Sequence, residues 1–103
     1  MFTGNENHDI TLADAAALTK KYRDSVPDGS RKGAFFGRAA IEAILAQADA
    51  VGIRYYHGID DRGEPVLVLT GADANENDLY QGLLAERAMP CPTQCGTNNP
   101  LNS

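Results

Sequence analysis

The stretch VGIRYYHGIDDRGEPVLVLT, residues 51–70, decides the fold class. From Val51 to Ile59 the mostly apolar side chains recur at every second position, which is the period of a β-strand. The segment DDRG that follows is a turn, and Gly63 can take the left-handed conformation of a bulged hairpin. The segment PVLVLT, residues 65–70, is apolar on both faces and predicts a covered or central return strand. The stretch therefore predicts an antiparallel β-hairpin.

Two main helices are predicted before the hairpin and are expected to pack on it, because a lone hairpin is only marginally stable in water. The first begins after Thr11, whose hydroxyl can accept from the amide of Asp14 in a capping box. It ends near Val26, because Pro27 cannot continue a helix. The second extends over about residues 38–48, where alanines and an apolar stripe occur at helical spacing.

A short third helix is predicted after the hairpin. Asp78 and Gln81 have the spacing of a capping box, and leucines follow at helical positions until about Arg87. Pro90 ends this helix. The remaining residues, 91–103, are rich in Asn, Pro and Thr and have no periodicity, so they predict an extended tail.

Length and composition predict one small α+β domain. The chain has 103 residues, of which 43% are hydrophobic and 22% charged, as in an average soluble globular protein. We divide it into a polar N-terminal arm (1–9), a globular domain (10–90) and a cysteine-containing tail (91–103).

The charge is acidic overall and unevenly spread. Nine Lys and Arg stand against 14 Asp and Glu, which gives a net charge of −5. The basic block, residues 20–38, nevertheless holds six bases and only two acids. An acidic chain lacks the general basic face that binds a phosphate backbone, so nucleic acid is not an expected partner.

No membrane or export signal is apparent in the sequence. No run of residues is apolar enough to span a bilayer, and the N-terminus lacks the pattern of a signal peptide. We therefore expect no membrane partner. The default compartment is the cytoplasm, and export by a route without a cleaved signal stays open.

Cys91 and Cys95 enclose three residues, whereas thioredoxin-type redox motifs enclose two. Three interpretations stay open: two structural or inert thiols, a local disulfide, or cysteines that take part in metal or redox chemistry. A zinc site would have to recruit His57, and also His8, although the two histidines are far apart in the sequence.

Asp73, Asn75 and Asn77 place oxygen ligands at alternate positions, like the start of a calcium-binding loop. The glycine and the glutamate that such a loop needs further on are absent, since Asp78 and Leu84 occupy those positions. A turn followed by a helix start explains the same residues. These residues and the cysteines are therefore metal candidates only, and no cofactor is assigned.

No residues are marked out as catalytic. The chain has no glycine-rich phosphate loop, no distinguished acid–base pair and no cysteine–histidine spacing that favours acyl transfer. The expected function is a non-enzymatic protein-interaction or self-assembly subunit, whose partner is another protein or further copies of the chain.

This expectation rests on the basic block, the acidic loops and the unpaired edges of a two-stranded sheet. In the expected assembly, basic residues of one subunit meet acids such as Asp60, Asp61 or Asp73 of a neighbouring subunit, and the tail docks on the next subunit. The expected contact residues are Arg31, Lys32, Arg38, Arg54, Tyr56, Asp60 and Asp61. A module that depends on zinc, calcium or a disulfide is the first alternative, and a small enzyme or its regulator is the second.

Overall fold

The structure, a computed structural model, describes the whole chain from Met1 to Ser103. Its elements follow in the order α1 (Leu12–Asp24), β1 (Gly33–Phe35), α2 (Arg38–Leu45), β2 (Gly52–Ile59), β3 (Pro65–Ala72), β4 (Leu84–Ala85) and β5 (Met89–Cys91). All strand pairs are antiparallel. The two helices and the antiparallel sheets confirm the predicted α+β class.

The chain folds into two compact units. The first unit contains residues 1–7 and 36–88, and so holds α2 and the sheet of β2, β3 and β4. The second unit contains residues 8–35 and 89–103, and holds α1 and the paired strands β1 and β5. The predicted division into arm, single domain and tail stays a prediction.

The predicted hairpin is formed by β2 and β3, which pair along their full length from Gly52 opposite Ala72 to Ile59 opposite Pro65. At its turn, Gly63 has a φ of 80° and donates its N–H to the carbonyl of Asp60 at 3.0 Å. Glycine adopts this left-handed conformation without the steric cost that a side chain would bring. The turn therefore fixes the register of the hairpin.

The small core of the first unit lies around β3, which is the central strand of its sheet. Leu69 and Ala72 on β3 are buried, and so is Ile44 on α2, which is 1% exposed. A side-chain carbon on Gly71 would lie 3.4 Å from Cγ2 of Ile44, so helix and strand pack closely here. The central position explains why β3 is apolar on both faces. The packing of the first helix on the hairpin stays a prediction.

The predicted third helix is wrong, because residues 78–87 form a turn and the short strand β4 instead. The N–H of Leu79 donates to the carbonyl of Gly71 at 2.8 Å, and the N–H of Leu83 donates to the side chain of Gln47 at 2.9 Å. The second bond takes the amide that a helix starting at Asp78 would bond to the carbonyl of Leu79, and the first ties the start of the segment to β3. Gly82 adds to the cost of a helix at this place.

The two helices that are formed end slightly earlier than predicted. In α1 the hydroxyl of Thr11 accepts from the amide of Asp14 at 3.1 Å, as expected, and Ser25 is the C-cap. In α2 the side chain of Gln47 donates to the carbonyl of Ile44 at 2.9 Å and so binds a group of the last turn. Neither helix has the length and apolar character needed to cross a membrane.

The second unit contains a pairing that the sequence does not predict. Strand β1 pairs with β5 so that Gly33 lies opposite Cys91 and Phe35 opposite Met89. The predicted tail thus begins as part of a strand. Its last residues form a turn in which Asn99 accepts from the amide of Leu101 at 2.8 Å.

Candidate functional site

One face of β2 carries a polar cluster, formed by side chains of even-numbered residues that share this face. Nη1 of Arg54 donates to Oδ1 of Asp78 at 2.5 Å and to the carbonyl of Glu76 at 3.0 Å. The hydroxyl of Tyr56 donates to Oδ2 of Asp78 at 2.5 Å. Both carboxylate oxygens are therefore bound by the strand, which holds the loop after β3 against it.

The N-terminal residues dock on the same cluster. The amide of Phe2 donates to the carbonyl of Ala74 at 3.0 Å, and the terminal amine of Met1 lies 3.2 Å from Oε2 of Glu76. The guanidinium of Arg54 lies 5.6 Å from the centre of the Phe2 ring, within the range of a cation–π contact. The start of the predicted arm is thus part of the first unit.

Hydrogen bonding in this cluster shifts the titration of its members. The hydroxyl of Tyr56, with the guanidinium of Arg54, lowers the pKa of Asp78 below its ordinary value of 3.8. The hydrogen bond to Asp78 raises the pKa of Tyr56 above 10.0, and the same carboxylate raises the pKa of Arg54. The carboxylate and the guanidinium therefore stay charged, and the phenol stays neutral, over the whole physiological range.

The other face of β2 carries a row of exposed side chains at the odd-numbered positions. Ile59 is 77% exposed and Tyr55 is 57% exposed, while Ile53 is partly covered at 36% exposed. The rings of Tyr55 and His57 meet edge to face, with 5.4 Å between their centres. A contiguous apolar row in solvent is more informative than a single exposed residue, because such patches mark interaction sites.

The outer edge of β2 is open, because β2 is the first strand of the order β2–β3–β4. At the end of the hairpin, Asp60 donates its N–H to Glu64 on the returning chain at 2.9 Å. Asp60 therefore belongs to a hydrogen-bonded pair, and such pairs alternate with non-hydrogen-bonded pairs along an antiparallel ladder. The even-numbered residues of β2 consequently bond to β3. The odd-numbered residues direct their N–H and C=O groups to the open edge, and no backbone hydrogen bond joins them to another segment.

The predicted basic contact residues are divided between the two units. Arg31 and Lys32 belong to the second unit, whereas Arg38 belongs to the first. Nζ of Lys32 lies 2.5 Å from the carbonyl of Asn102, so this lysine binds the C-terminal residues of its own chain. Arg38 is 88% exposed and lies 3.6 Å from Glu42.

Arg23, which is also in the basic block, binds the C-terminal residues as Lys32 does, since its Nη1 donates to the carbonyl of Leu101 at 2.7 Å. The basic block therefore has a role within the chain that its composition did not suggest.

The predicted acidic contact residues differ in their surroundings. Asp60 accepts from the amides of Arg62 and Glu64 at 2.9 Å each, so its carboxylate shapes the hairpin turn. Asp61 lies exposed in the same turn. Of this pair, Asp61 is the better placed to meet a partner.

The candidate calcium residues form a turn, as the second interpretation of the sequence predicts, but no helix follows it. Oδ1 of Asp73 accepts from the amides of Asn75 and Asn77 at 2.9 Å each. The carboxylate therefore closes its own loop. Nowhere in the chain do three or more His, Cys, Asp or Glu side chains meet in a way that could hold a metal ion.

Cys91 and Cys95 form a disulfide, with 4.8 Å between their Cα atoms, and the chain has no free cysteine. This confirms the disulfide among the interpretations that the spacing left open. The carbonyl of Cys91 also accepts from the amide of Lys32 at 2.7 Å, which continues the pairing of β1 and β5. His57, the candidate third zinc ligand, belongs to the other unit.

Sequence reasoning missed Asp78 as the partner of Arg54 and Tyr56. The signal was present: two hydrogen-bond donors share one strand face, and an acidic loop follows the hairpin. The capping-box spacing of Asp78 and Gln81 instead predicts a helix start, and so assigns Asp78 a different role. The carbonyls of Leu101 and Asn102 had no such signal, because every residue carries a backbone carbonyl.

No family model, no curated protein and no solved structure matches the chain. Its function has to be inferred from its own residues and their geometry.

Proposed function

We propose that the chain is a non-enzymatic self-assembly subunit that associates through the open edge of β2. The observation that carries this proposal is an outer strand of eight residues with exposed apolar side chains along it. Unpaired N–H and C=O groups of an outer strand are a template for pairing with another strand. Pairing would satisfy these groups and cover part of the apolar row with the side chains of the second strand.

The apolar row supplies the favourable free energy of association. Burying an apolar side chain completely contributes about 1.5–3 kcal/mol. Ile59 at 77% exposed and Tyr55 at 57% exposed gain a part of this contribution, because a neighbouring strand covers one flank of each side chain. The edge lacks the usual protection against pairing, since β2 contains no proline, no lysine and no acidic residue.

The uneven charge has a steering role in this proposal. Arg31 and Lys32 lie in the basic block, and acids such as Asp61 lie on the hairpin turn. Opposite charges on two surfaces raise the rate of encounter more than the affinity. Since Lys32 already binds the carbonyl of Asn102, we place the main contact at the β2 edge rather than at the basic block.

Native mass spectrometry of the unreduced protein tests the proposal. We expect species at multiples of the 11.0 kDa chain mass, with a fraction that grows with protein concentration. A single species of the chain mass at every concentration would overturn self-assembly.

Charge reversal tests the steering role separately. The variant R31E/K32E should associate several-fold more slowly than the wild-type protein at low salt and at nearly the same rate at high salt. The matched control is K20E/K21E, which changes the net charge by the same amount elsewhere in the basic block. Equal association rates for the two variants would refute steering by Arg31 and Lys32.

A thiol-dependent module is the second candidate function, and the Cys91–Cys95 disulfide favours it. Disulfides persist in oxidising surroundings and are rare in the reducing cytoplasm. With this second candidate function, the protein would work outside the cytoplasm, which is the default compartment expected from the sequence. Unchanged association of C91S/C95S, together with no bound metal by elemental analysis, would exclude it.

A further inference from the structure

We infer that the partner at the open edge is a second copy of this chain, and that the two β2 strands pair antiparallel about a two-fold axis through position 56. This inference rests on the proposed function and adds the partner and the register. Tyr56 then lies opposite Tyr56 of the second copy, Tyr55 opposite His57, and Ile53 opposite Ile59.

The backbone groups at the edge select this register. The open N–H and C=O groups belong to Ile53, Tyr55, His57 and Ile59, which are placed symmetrically about position 56. In an antiparallel pair centred there, each of these residues faces another of them as a hydrogen-bonded pair. All of their open groups are then satisfied. Centring the pair on position 55 leaves Ile59 without a partner, and centring it on position 57 leaves Ile53 without one.

The side chains agree with the same register. Ile53 of one copy meets Ile59 of the other, so that two partly or largely exposed apolar side chains cover each other. Tyr55 meets His57 of the second copy, beside the edge-to-face pair that these rings already form within each chain. Aromatic and β-branched cross-strand pairs of this kind stabilise antiparallel sheets.

Charge presents no obstacle to pairing of identical strands. Arg54 is the only Lys, Arg, Asp or Glu in β2. In this register Arg54 lies opposite Gly58 of the second copy, which has no side chain, so the two guanidinium groups do not face each other. Each Arg54 can keep its contact with Asp78 of its own chain.

The dimer should be weak, because a single pair of strands buries little surface. An interface below about 1,200 Å² in total is typical of transient association. Association should therefore be measured up to several hundred micromolar protein.

Cysteine cross-linking tests the register directly. We would compare Y55C, Y56C and H57C, each in the intact protein with its native disulfide, under oxidised glutathione. D61C in the exposed turn is the control for random collisions. Pairing raises the local concentration of facing thiols, so Y56C should form a symmetric dimer at least about tenfold faster than D61C. The linked peptides, identified by mass spectrometry, must join position 56 to position 56.

A mixture of Y55C and H57C gives a second measurement that leaves Tyr56 intact. The two variants should cross-link to each other faster than either cross-links to itself, because positions 55 and 57 face each other across the axis. Faster self-linking of Y55C or of H57C would overturn the register. Rates no higher than that of D61C for all combinations would overturn pairing through β2.

Sedimentation of the wild-type protein distinguishes a failure of the β2 pairing from a failure of self-assembly. If sedimentation shows oligomers while no β2 cysteine cross-links above the D61C control, self-assembly stands and the β2 pairing is wrong. If sedimentation shows only the monomer up to several hundred micromolar, both the pairing and the proposed function are wrong.

Discussion

Oδ1 of Asp78 lies 2.5 Å from Nη1 of Arg54, and this contact ties the loop after β3 to the outer strand β2. The two side chains are 22% and 30% exposed, so the pair is only partly shielded from water. Phe2 and Tyr56 belong to the same cluster. Part of one face of β2 is thereby covered by its own chain, while the exposed side chains of Tyr55 and Ile59 on the opposite face and the outer edge remain available to a partner.

The variant D78N should lower the melting temperature by a few degrees, because it removes the negative charge that both Arg54 and Tyr56 contact. The pKa of Asp78 is lowered in the folded state. Its stabilisation is therefore complete above the unfolded-state pKa, near 3.8, and is lost as the pH falls through the lower folded-state pKa. The melting temperatures of D78N and the wild-type protein, measured from neutral pH to pH 2, should differ at neutral pH and become equal near pH 2.

The matched control for this prediction is D61N, which removes a carboxylate from the exposed hairpin turn. Its melting temperature should follow that of the wild-type protein across the same pH range. A difference between D78N and the wild-type protein that persists unchanged at pH 2 would contradict the assignment to the Asp78 carboxylate.

One of the four tyrosines should ionise later than the others in an alkaline titration. The hydrogen bond to Asp78 raises the pKa of Tyr56, so the stability that this bond gives is present below pH 10.0 and is lost as the pH rises through the raised pKa. Absorbance of tyrosinate should show a late step that disappears in Y56F and moves to lower pH in D78N. A late step that survives in Y56F would assign it to another tyrosine.

The hairpin was predictable because its signals are local. Alternation in β2 and the glycine at position 63 fix a strand, a turn and a register within a short stretch. The third helix failed for the opposite reason. The capping pattern at Asp78 is also local, but the N–H of Leu79 finds the carbonyl of Gly71 on β3, and the sheet overrides the pattern.

The pairing of β1 with β5 was not predictable, because Gly33–Phe35 is too short to show a period and its partner lies near the other end of the chain. The candidate site was partly predictable. Arg54 and Tyr56 could be proposed as contact residues from their shared strand face. Their engagement with Asp78 within the chain depends on how the loop after β3 folds back, which spacing alone does not determine.

The variant G82A should destabilise the first unit by about 1 kcal/mol, the usual net contribution of one hydrogen bond. A side-chain carbon at Gly82 would lie 2.1 Å from Oε1 of Gln47, so the side chain of Gln47 would have to move. That oxygen accepts from the amide of Leu83 at 2.9 Å, so the bond would have to break. Urea unfolding measures the change. The control is G52A in the same unit, since a side-chain carbon there has open space. Equal stability of G82A and the wild-type protein would contradict this close approach.

The variant C91S/C95S should lower the free energy of unfolding by about 2 kcal/mol or less, because the disulfide closes only a short loop. The loss should be greatest where β1 meets β5. The amide of Lys32, which donates to Cys91 at 2.7 Å, should exchange its hydrogen faster, whereas amides of β3 should not change. T93S, between the two cysteines, is the matched control. Uniformly faster exchange over the whole chain would show that the disulfide supports more than its own unit.

Sedimentation equilibrium of the intact, unreduced protein over a wide concentration range tests self-assembly through the β2 edge most directly. The wild-type protein should shift from the 11.0 kDa chain mass towards twice that mass as concentration rises. Y55K, which places a lysine on the open edge, should shift much less while keeping its secondary structure by circular dichroism. A wild-type protein that stays at the chain mass up to several hundred micromolar, or a Y55K variant that dimerises equally well, would contradict the proposed edge.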